Sequence, residues 1–320
     1  MEIKRLSYKH KNNKLAYYCK NYIRLYSPKY FQRKKYDQLI KSDFNNEYIN
    51  DRVLYYNNLS KHYKIPPTSK CIKHLSLKDG SKTYIFDFKE YTRYFDCNLL
   101  VNFEYGDVTT IPKQPSFVKS RPICDDNSNS ILLKWNKIRH FTFVKNDRRQ
   151  LSEKKNQLVF RGRVRPSLKN RIQFIEKYID HPLCNVGSID KNNIPAHWVV
   201  KRMTIEEQLK YKFILSLEGN DVASNLKWIM SSNSVAVMRR PRFETWFMEA
   251  RLIPDYHYIL IKDDYSDLEE KLLYYTKRIE ELEQIRKNAN AYVKQFQNKK
   301  TEDFVSLMVI KKYFEQTNQL

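Results

Sequence analysis

The sequence lacks the short motifs by which most nucleotide-binding proteins are identified. It contains no GxxxxGKS or GxxxxGKT loop and no GxGxxG turn, so the common triphosphate and dinucleotide sites are missing. No Asp-x-Asp triplet occurs in the chain, which weakens any scheme in which carboxylates hold a divalent metal. We therefore expect no metal and no bound cofactor.

Paired cysteines and long apolar runs are also missing. The five cysteines are scattered without a CxxC pair, a pattern typical of a reducing compartment and not of a disulfide framework or a zinc site. No stretch approaches the roughly 18 apolar residues that a membrane span requires, and no apolar run follows the basic N-terminus. We expect a cytoplasmic protein without a secretory signal.

Acidic residues are few relative to basic ones. The 59 Lys and Arg outnumber the 36 Asp and Glu, which gives a formal net charge of +23. Such a charge predicts an anionic partner, and nucleic acid, an anionic membrane face and a nucleotide-linked substrate all fit. Residues 1–40 hold eleven Lys or Arg against Glu2 and Asp37. This tyrosine-rich segment is suited to a membrane surface or a polyanion, and a solvated helix face is the alternative.

Residues 211–238 predict a strand, a tight turn, a helix and a second strand. Residues 211–217 are apolar, and Gly219 then supplies a turn position that tolerates unusual backbone angles. Asn220 or Asp221 can cap the helix. Its apolar residues recur at helical spacing, at Val222, Ala223, Leu226, Ile229 and Met230. In an open α/β sheet such a helix N-terminus faces the crevice where phosphates bind, so the stretch is a candidate nucleotide site. An ordinary β-α-β unit is the alternative.

A second strand–turn–helix unit is predicted over residues 157–179. Five cations lie in or beside its turn: Arg161, Arg163, Arg165, Lys169 and Arg171. Since a charge-assisted hydrogen bond contributes about 1.5 to 3 kcal/mol, two of them could hold a diphosphate without a metal. A patch that contacts a nucleic-acid backbone would use the same residues. The charged run 145–156 is interpreted as a linker between two halves.

Asp107 is the candidate general base. We expect strands at residues 83–88 and 99–112, the second ending in a turn at Gly106. Asp107 follows that glycine, so its carboxylate would lie at the carboxyl end of a strand. A base so placed typically contributes about 10²- to 10⁴-fold to a rate. Glu104 is the competing carboxylate, and a turn-capping role for Asp107 is the alternative.

Other charged residues are weaker candidates. Lys119 and Arg121 are suited to a phosphate or an acidic acceptor, and His140 is interpreted as structural. Glu244 is predicted in a short helix over 244–250, where its carboxylate could accept both hydroxyls of a ribose or simply favour the helix dipole. Residues 263–297 predict one long amphipathic helix, and a final helix follows.

Five separated blocks resemble glycosyltransferase family 90, the family of animal protein O-glucosyltransferases, fungal capsule xylosyltransferases and bacterial lipopolysaccharide-type enzymes. The blocks are GDVTTIPKQPSFVKSRP, NSILLKWNKIRHF, LVFRG with Arg171, YKFILSLEGNDVASNLKWIMSSNSV and ETWFMEARLIPDYHYILIKDDYSDLEEKL. The resemblance implies an α/β protein of GT-B type, with two Rossmann-like domains, a cleft between them and long C-terminal helices. We assign residues 1–150 to an acceptor-side domain, 151–297 to the donor domain and 298–320 to a helix that packs back on the first.

The resemblance also assigns roles to residues. Asp107, five residues before Pro112, corresponds to the family's base. Animal members carry an Arg in the helix after the glycine turn, where this chain has Asn225, so diphosphate binding would depend on helix amides, Arg171 and Lys227. The full predicted donor set is Arg161, Gly162, Arg171, Gly219, Asp221, Ser224, Asn225, Lys227 and Glu244, with Lys119 and Arg121 on the acceptor or phosphate side.

The implied function is an inverting, metal-independent transfer of a glucose- or xylose-type sugar from a UDP-sugar to a hydroxyl of a surface-glycan or lipopolysaccharide precursor. The chain looks like the cytoplasmic bacterial branch, and its basic N-terminal segment could place it peripherally at the inner face of the plasma membrane. Nucleic acid is then not the expected partner. A non-enzymatic polyanion-binding protein and a degenerate homologue that binds a sugar nucleotide without turnover are the alternatives.

Overall fold

A computed structural model of the protein describes residues 9–27, 46–60, 62–191 and 193–320, so the basic segment 1–40 lies partly outside the described residues. The described residues form ten α-helices: α1 Lys14–Tyr26, α2 Glu47–Tyr56, α3 Lys82–Thr92, α4 Lys137–His140, α5 Lys169–Tyr178, α6 Ile205–Gln208, α7 Leu226–Met230, α8 Leu268–Lys277, α9 Ile279–Lys294 and α10 Lys299–Gln316. None of these helices combines the length and the apolar character needed to cross a membrane.

The same residues form twelve β-strands. They are β1 Lys70–Cys71, β2 Leu100–Val101, β3 Phe103–Glu104, β4 Ser116–Val118, β5 Ser120–Pro122, β6 Ser130–Leu132, β7 Lys155–Gly162, β8 Cys184–Ser188, β9 Tyr211–Leu215, β10 Val235–Met238, β11 Phe243–Thr245 and β12 Ile259–Leu260. Helices and parallel strands occur together, so the α/β class is confirmed. The GT-B arrangement stays a prediction.

The chain divides into two compact units. The three-stranded unit, named for its main sheet, comprises the described residues of Asn13–His140, Arg242–Ala250 and Phe296–Leu320. The five-stranded unit comprises Phe141–Pro241 and Arg251–Gln295, with the described residues 9–12. The predicted domains, with borders after residues 150 and 297, stay a prediction. No pattern in the sequence had separated Arg242–Ala250 from its neighbours.

One fully parallel sheet forms the centre of the five-stranded unit. Its strands lie in the order β12-β10-β9-β7-β8. Numbered along the chain and read from the β8 edge, this order is 2-1-3-4-5. The strands are buried on both faces, which is why they read as continuous apolar runs such as YKFIL and VAVM. Phe174 of α5 and Leu268 and Leu272 of α8 belong to the core around this sheet.

The predicted strand–turn–helix unit over 157–179 is confirmed as β7 and α5. The second predicted unit is confirmed only in its two strands, β9 and β10. Its helix, α7, has five residues and begins at Leu226, with Asn225 and not Asn220 or Asp221 at the N-cap position. Residues 216–225 are therefore a loop, and the predicted helix N-terminus beside Gly219 is wrong.

The backbone at Gly219 also differs from the prediction. Among the described glycines only Gly80 and Gly106 have a positive φ, so Gly219 does not supply a left-handed turn. A Cβ at this position would lie 3.4 Å from Nη2 of Arg171, which is an ordinary van der Waals distance. The Arg171 guanidinium therefore lies directly beside this glycine.

Residues 145–156 do not form a linker. The side chain of Asp147 is buried, and its carboxylate accepts hydrogen bonds from Nζ of Lys154 at 2.7 Å and from the backbone N–H of Asn233 at 3.0 Å. Two charges of this run, Asp147 and Lys154, are therefore matched inside the five-stranded unit. The linker prediction is wrong because a charged run was assumed to be solvated.

The three-stranded unit has a small parallel sheet in the order β3-β4-β6, with antiparallel pairs β1–β2 and β5–β11 beside it. Helix α10 packs against α2 and α3. The predicted strand over 83–88 is wrong, since these residues belong to α3, where tertiary burial of Tyr84, Phe86 and Phe88 overrides their preference for strands.

Two predictions in the C-terminal part are also wrong. Glu244 lies in strand β11, opposite Arg121 of β5, and not in the first turn of a helix. Residues 263–297 form two helices, α8 and α9, because the chain breaks at Arg278 with φ −117° and ψ 65°.

A buried ionic network joins distant segments of the three-stranded unit. Arg52 of α2 donates to one oxygen of Glu302 in α10 at 2.6 Å, and its side chain is 0% exposed. The other oxygen of Glu302 accepts from Nζ of Lys134 at 2.7 Å and from the indole of Trp246 at 2.8 Å. The ring of Tyr56 stacks on Trp246 with centroids 3.8 Å apart. Removing the carboxylate would leave two cations without their counter-ion.

We expect Glu302→Gln to lower the free energy of unfolding by about 3 to 5 kcal/mol, the usual cost of breaking a buried ion pair from one side. Urea unfolding followed by tryptophan fluorescence measures the change. Glu315→Gln, in the same helix, is the matched control, because Glu315 pairs with Lys311 at the surface and is 42% exposed. The control should lose less than about 1 kcal/mol. Equal losses in the two variants would contradict this view of Glu302.

Candidate active site

The strand order of the five-stranded sheet reverses between β7 and β9. In open parallel sheets a crevice forms at such a point, outside the carboxyl ends of the strands, and ligands bind there. The loop after β7 begins at Arg163, and the loop after β9 contains Leu217, Glu218 and Gly219. Both predicted phosphate turns therefore lie at the same edge of one sheet.

Arg171 fastens these two loops together. Its guanidinium donates to the carbonyl of Arg163 at 2.8 Å, to that of Leu217 at 2.8 Å and to that of Glu218 at 3.1 Å. The neighbouring Asn170 donates from Nδ2 to the Glu218 carbonyl at 3.0 Å. Burial lowers the pKa of Arg171 to about 10, so the group remains a cation at neutral pH. Arg171 therefore fixes the backbone of both loops and also adds positive charge to this edge of the sheet.

Arg239 adds a second buried cation to this edge. It follows β10 directly and donates from Nη2 to Oε1 of Glu218 at 2.5 Å. Its guanidinium also lies 5.5 Å from the ring centre of Tyr265. The sequence prediction missed both Glu218 and Arg239. The signal was present, since Arg239 follows β10 directly, as Arg163 follows β7, and Glu218 lies three residues beyond the end of β9.

Asn225 occupies the position where the family resemblance predicts an arginine in animal members. Its Nδ2 donates to the carbonyl of Leu215, the last residue of β9, at 2.9 Å. Its Oδ1 accepts from the hydroxyl of Ser216 at 3.2 Å. Asn225 therefore ties the far end of the 216–225 loop back to the strand that begins it.

The other predicted donor residues of this loop differ in exposure. Asp221 and Lys227 are buried, and Ser224 is half-buried. Nζ of Lys227 lies 5.4 Å from the ring centre of Phe141. Of these three, Ser224 is the one whose side chain is accessible at the loop.

Arg161 and Gly162 are held by the sheet itself. The guanidinium of Arg161 donates to the side chain of Asn185 on β8 at 2.6 Å and to the carbonyl of Lys201 at 3.1 Å, and burial lowers its pKa. At Gly162 a Cβ would come within 2.4 Å of the Phe160 ring, so the core excludes any larger residue. These contacts give both residues a structural role that the phosphate prediction did not include.

Asp107 lies in the three-stranded unit, where the predicted position at the carboxyl end of a strand is confirmed. It follows β3 through Gly106, whose φ of +100° favours glycine. Nζ of Lys119 donates to Oδ1 of Asp107 at 2.5 Å. Lys119 follows β4, the parallel neighbour of β3, and its side chain is 3% exposed against 40% for Asp107. A buried ammonium thus holds an accessible carboxylate in place.

Glu244 and Arg121 form a buried pair in the same unit. Nε of Arg121 donates to Oε1 of Glu244 at 2.8 Å, and the hydroxyl of Tyr55 donates to Oε2. Burial raises the pKa of Glu244. Sequence reasoning did not predict this pair, because the two residues meet only through the register of β5 and β11. Their predicted contacts with ribose and phosphate stay predictions.

Within the described part of the chain, no three His, Cys, Asp or Glu side chains come together as a metal site.

The chain is similar to known glycosyltransferases. A family model described as Glycosyl transferase family 90 matches residues 127–316. Over 266 residues the chain is 45% identical to the O-glucosyltransferase LpsA of Dichelobacter nodosus, an alignment that covers 83% of this chain and 82% of that protein. The region matched by the family model contains the loops after β7, β9 and β10, while Asp107 precedes it.

We expect Arg171→Met to loosen both loops at the switch point, because three carbonyls lose a charged donor worth about 1.5 to 3 kcal/mol. Hydrogen–deuterium exchange should rise in peptides that cover 163–168 and 216–225, with little change in β7 itself. Arg165→Met is the matched control, since Arg165 is an exposed cation of the same turn, paired with Asp190 at 3.0 Å. Unchanged exchange in Arg171→Met would show that the loops are held by other contacts.

Proposed function

The chain belongs to glycosyl transferase family 90 and is a glycosyltransferase, and from this premise we propose that it moves glucose from UDP-glucose to a hydroxyl of a surface-glycan or lipopolysaccharide precursor. A nucleotide-sugar donor and a glycan acceptor follow from membership of the family. The choice of glucose is supported by the similarity to an O-glucosyltransferase that covers most of both chains.

The proposed donor site is supported by one observation: at the switch point of the sheet, Arg171 joins the loops that follow β7 and β9. Two loops of the parallel sheet are fastened there side by side, and their cations include the exposed Arg163 and Arg165. Such an edge suits a diphosphate, which needs several donors and positive charge at close range. We place the UDP moiety at this edge, beside the half-buried loop residues Gly219 and Ser224.

In the proposed reaction Asp107 is the base. The acceptor hydroxyl gives its proton to the Asp107 carboxylate while its oxygen forms a bond to the anomeric carbon of the donor. The bond from that carbon to the diphosphate oxygen breaks from the opposite side, its electron pair leaves with UDP, and the anomeric configuration inverts. Lys119 acts as a positioning residue, since its buried ammonium holds one oxygen of a carboxylate whose side chain is 40% exposed.

Negative charge develops on the departing diphosphate, and we propose that arginine side chains and loop amides offset it without a divalent metal. Fixed donors aimed at a developing charge are the largest single source of rate acceleration in many enzymes. A helix N-terminus does not contribute, because α7 has five residues and begins after the loop, at Leu226.

We further propose that the acceptor is carried by a membrane glycolipid and that the enzyme works peripherally at the cytoplasmic face. The net charge of +23 supports a peripheral location, because a basic protein is attracted both to an anionic leaflet and to the anionic sugar nucleotide.

We expect UDP-glucose to give the highest rate of UDP release in a panel that also contains UDP-xylose, UDP-galactose and UDP-N-acetylglucosamine, assayed with a lipopolysaccharide-core acceptor. The reaction should continue at full rate in excess EDTA if no metal takes part. Preference for another sugar would overturn the glucose assignment, and loss of activity in EDTA would overturn the metal-free scheme.

We expect Asp107→Asn to lower transfer by at least about 10²-fold, because the amide cannot accept the acceptor proton. UDP binding, measured by calorimetry, should stay near the wild-type value. Glu104→Gln is the matched control, an exposed carboxylate at the end of the same strand, and should keep nearly full activity. Normal turnover by Asp107→Asn would remove Asp107 from the mechanism.

A further inference from the structure

Helix α1 has an unusual distribution of polar and apolar residues. Its inward face carries polar groups: the Tyr17 hydroxyl donates to Asp87 at 2.8 Å, Asn21 is buried, and Arg24 pairs with Glu90 at 2.7 Å. The rings of Tyr18 and Tyr22 pack edge-on against Phe86 of α3. The helix is therefore fixed to the three-stranded unit by its polar and aromatic side chains.

The outward face of α1 is apolar. Leu15 is 75% exposed, Ile23 71% and Tyr26 83%, and Cys19 between them is also exposed. The positions 15, 19, 23 and 26 recur at helical spacing, so these side chains form one stripe along the helix. Aliphatic residues outside and polar residues inside reverse the normal arrangement of a surface helix. A contiguous exposed apolar stripe of this kind usually marks an interaction site.

Positive charge surrounds the stripe. Lys14 and Lys20 are exposed on the same helix, and the helix contains no Asp or Glu. An apolar face bordered by lysines is the pattern of a helix that lies in the plane of a membrane surface. A second copy of the chain is a poorer partner, because two molecules with a net charge of +23 repel each other. An anionic bilayer supplies both the apolar layer and the opposite charge.

We propose that the α1 stripe, consisting of Leu15, Cys19, Ile23 and Tyr26, lies on the surface of an anionic lipid bilayer and holds the enzyme there. The inference rests on the proposed function in one respect, that a glycolipid acceptor requires the enzyme to reach a membrane. Within the basic segment of residues 1–40, the inference assigns the membrane contact to helix α1 and to the apolar face of that helix. Lys14 and Lys20 provide attraction to the headgroups, and the stripe provides the apolar contact.

Vesicle flotation tests the proposal with purified full-length protein. Wild type should bind vesicles that contain phosphatidylglycerol, should bind pure phosphatidylcholine vesicles more weakly, and should lose affinity as salt is raised. Leu15→Asp combined with Ile23→Asp should weaken binding to the anionic vesicles by at least about tenfold, because two aliphatic contacts are replaced by charges. Thermal unfolding of this variant should match wild type, since neither side chain packs in the core.

Two matched variants separate the outcomes. Ile253→Asp changes an aliphatic residue that is 53% exposed in the other unit and should bind vesicles as wild type does. Asp107→Asn should lose transfer but keep vesicle binding, so failure of the catalytic proposal and failure of this one give different results. Wild-type vesicle affinity in the Leu15→Asp, Ile23→Asp variant would overturn the proposal. So would a wild-type dimer in solution that this double variant abolishes, because a second copy would then cover the stripe.

Discussion

The three-stranded unit is assembled around the carboxylate of Glu302. Three donors from three parts of the chain, Arg52, Lys134 and the Trp246 indole, converge on its two oxygens. Burying these charges is costly, and the cost is offset only when every donor is in place. The network therefore fixes where helices α2 and α10 lie beside strand β11, and the same strand carries Glu244 into register with Arg121.

A different constraint sets the donor edge of the five-stranded unit. Parallel strands bring their carboxyl ends together, but loops there have no ladder to hold them, and their carbonyls need donors. Arg171 satisfies carbonyls from two loops at once, and Asn225 closes the second loop onto β9. Arg171 and Asn225 bond to backbone carbonyls in or next to these loops. Other side chains of these loops, such as Arg163 and Ser224, can therefore be held in place before a ligand binds. Such preorganisation is what an enzyme needs where charge develops during reaction.

Sequence patterns predicted the parts of this structure that depend on local periodicity. The strands β7, β9 and β10, helix α5 and the position of Asp107 after a glycine turn follow from apolar runs and turn residues close in sequence. Helix α3 did not, because its aromatic residues prefer strands and only tertiary packing decides otherwise. The pairs Glu244–Arg121 and Glu302–Arg52 join residues more than 120 positions apart. Arg171 was selected for its charge, whereas its bonds to backbone carbonyls depend on loop paths that no pattern of residues encodes.

The assignment of Arg242–Ala250 to one unit and of the residues on either side to the other has a consequence for how such enzymes diversify. Neither unit is a continuous stretch of gene, since the chain changes unit after Asn12, His140, Pro241, Ala250 and Gln295. A single recombination event cannot exchange one unit whole for that of a relative. The proposed base and the proposed donor loops therefore lie in segments that alternate along one chain, an arrangement that favours change of specificity by substitution over exchange of a whole unit.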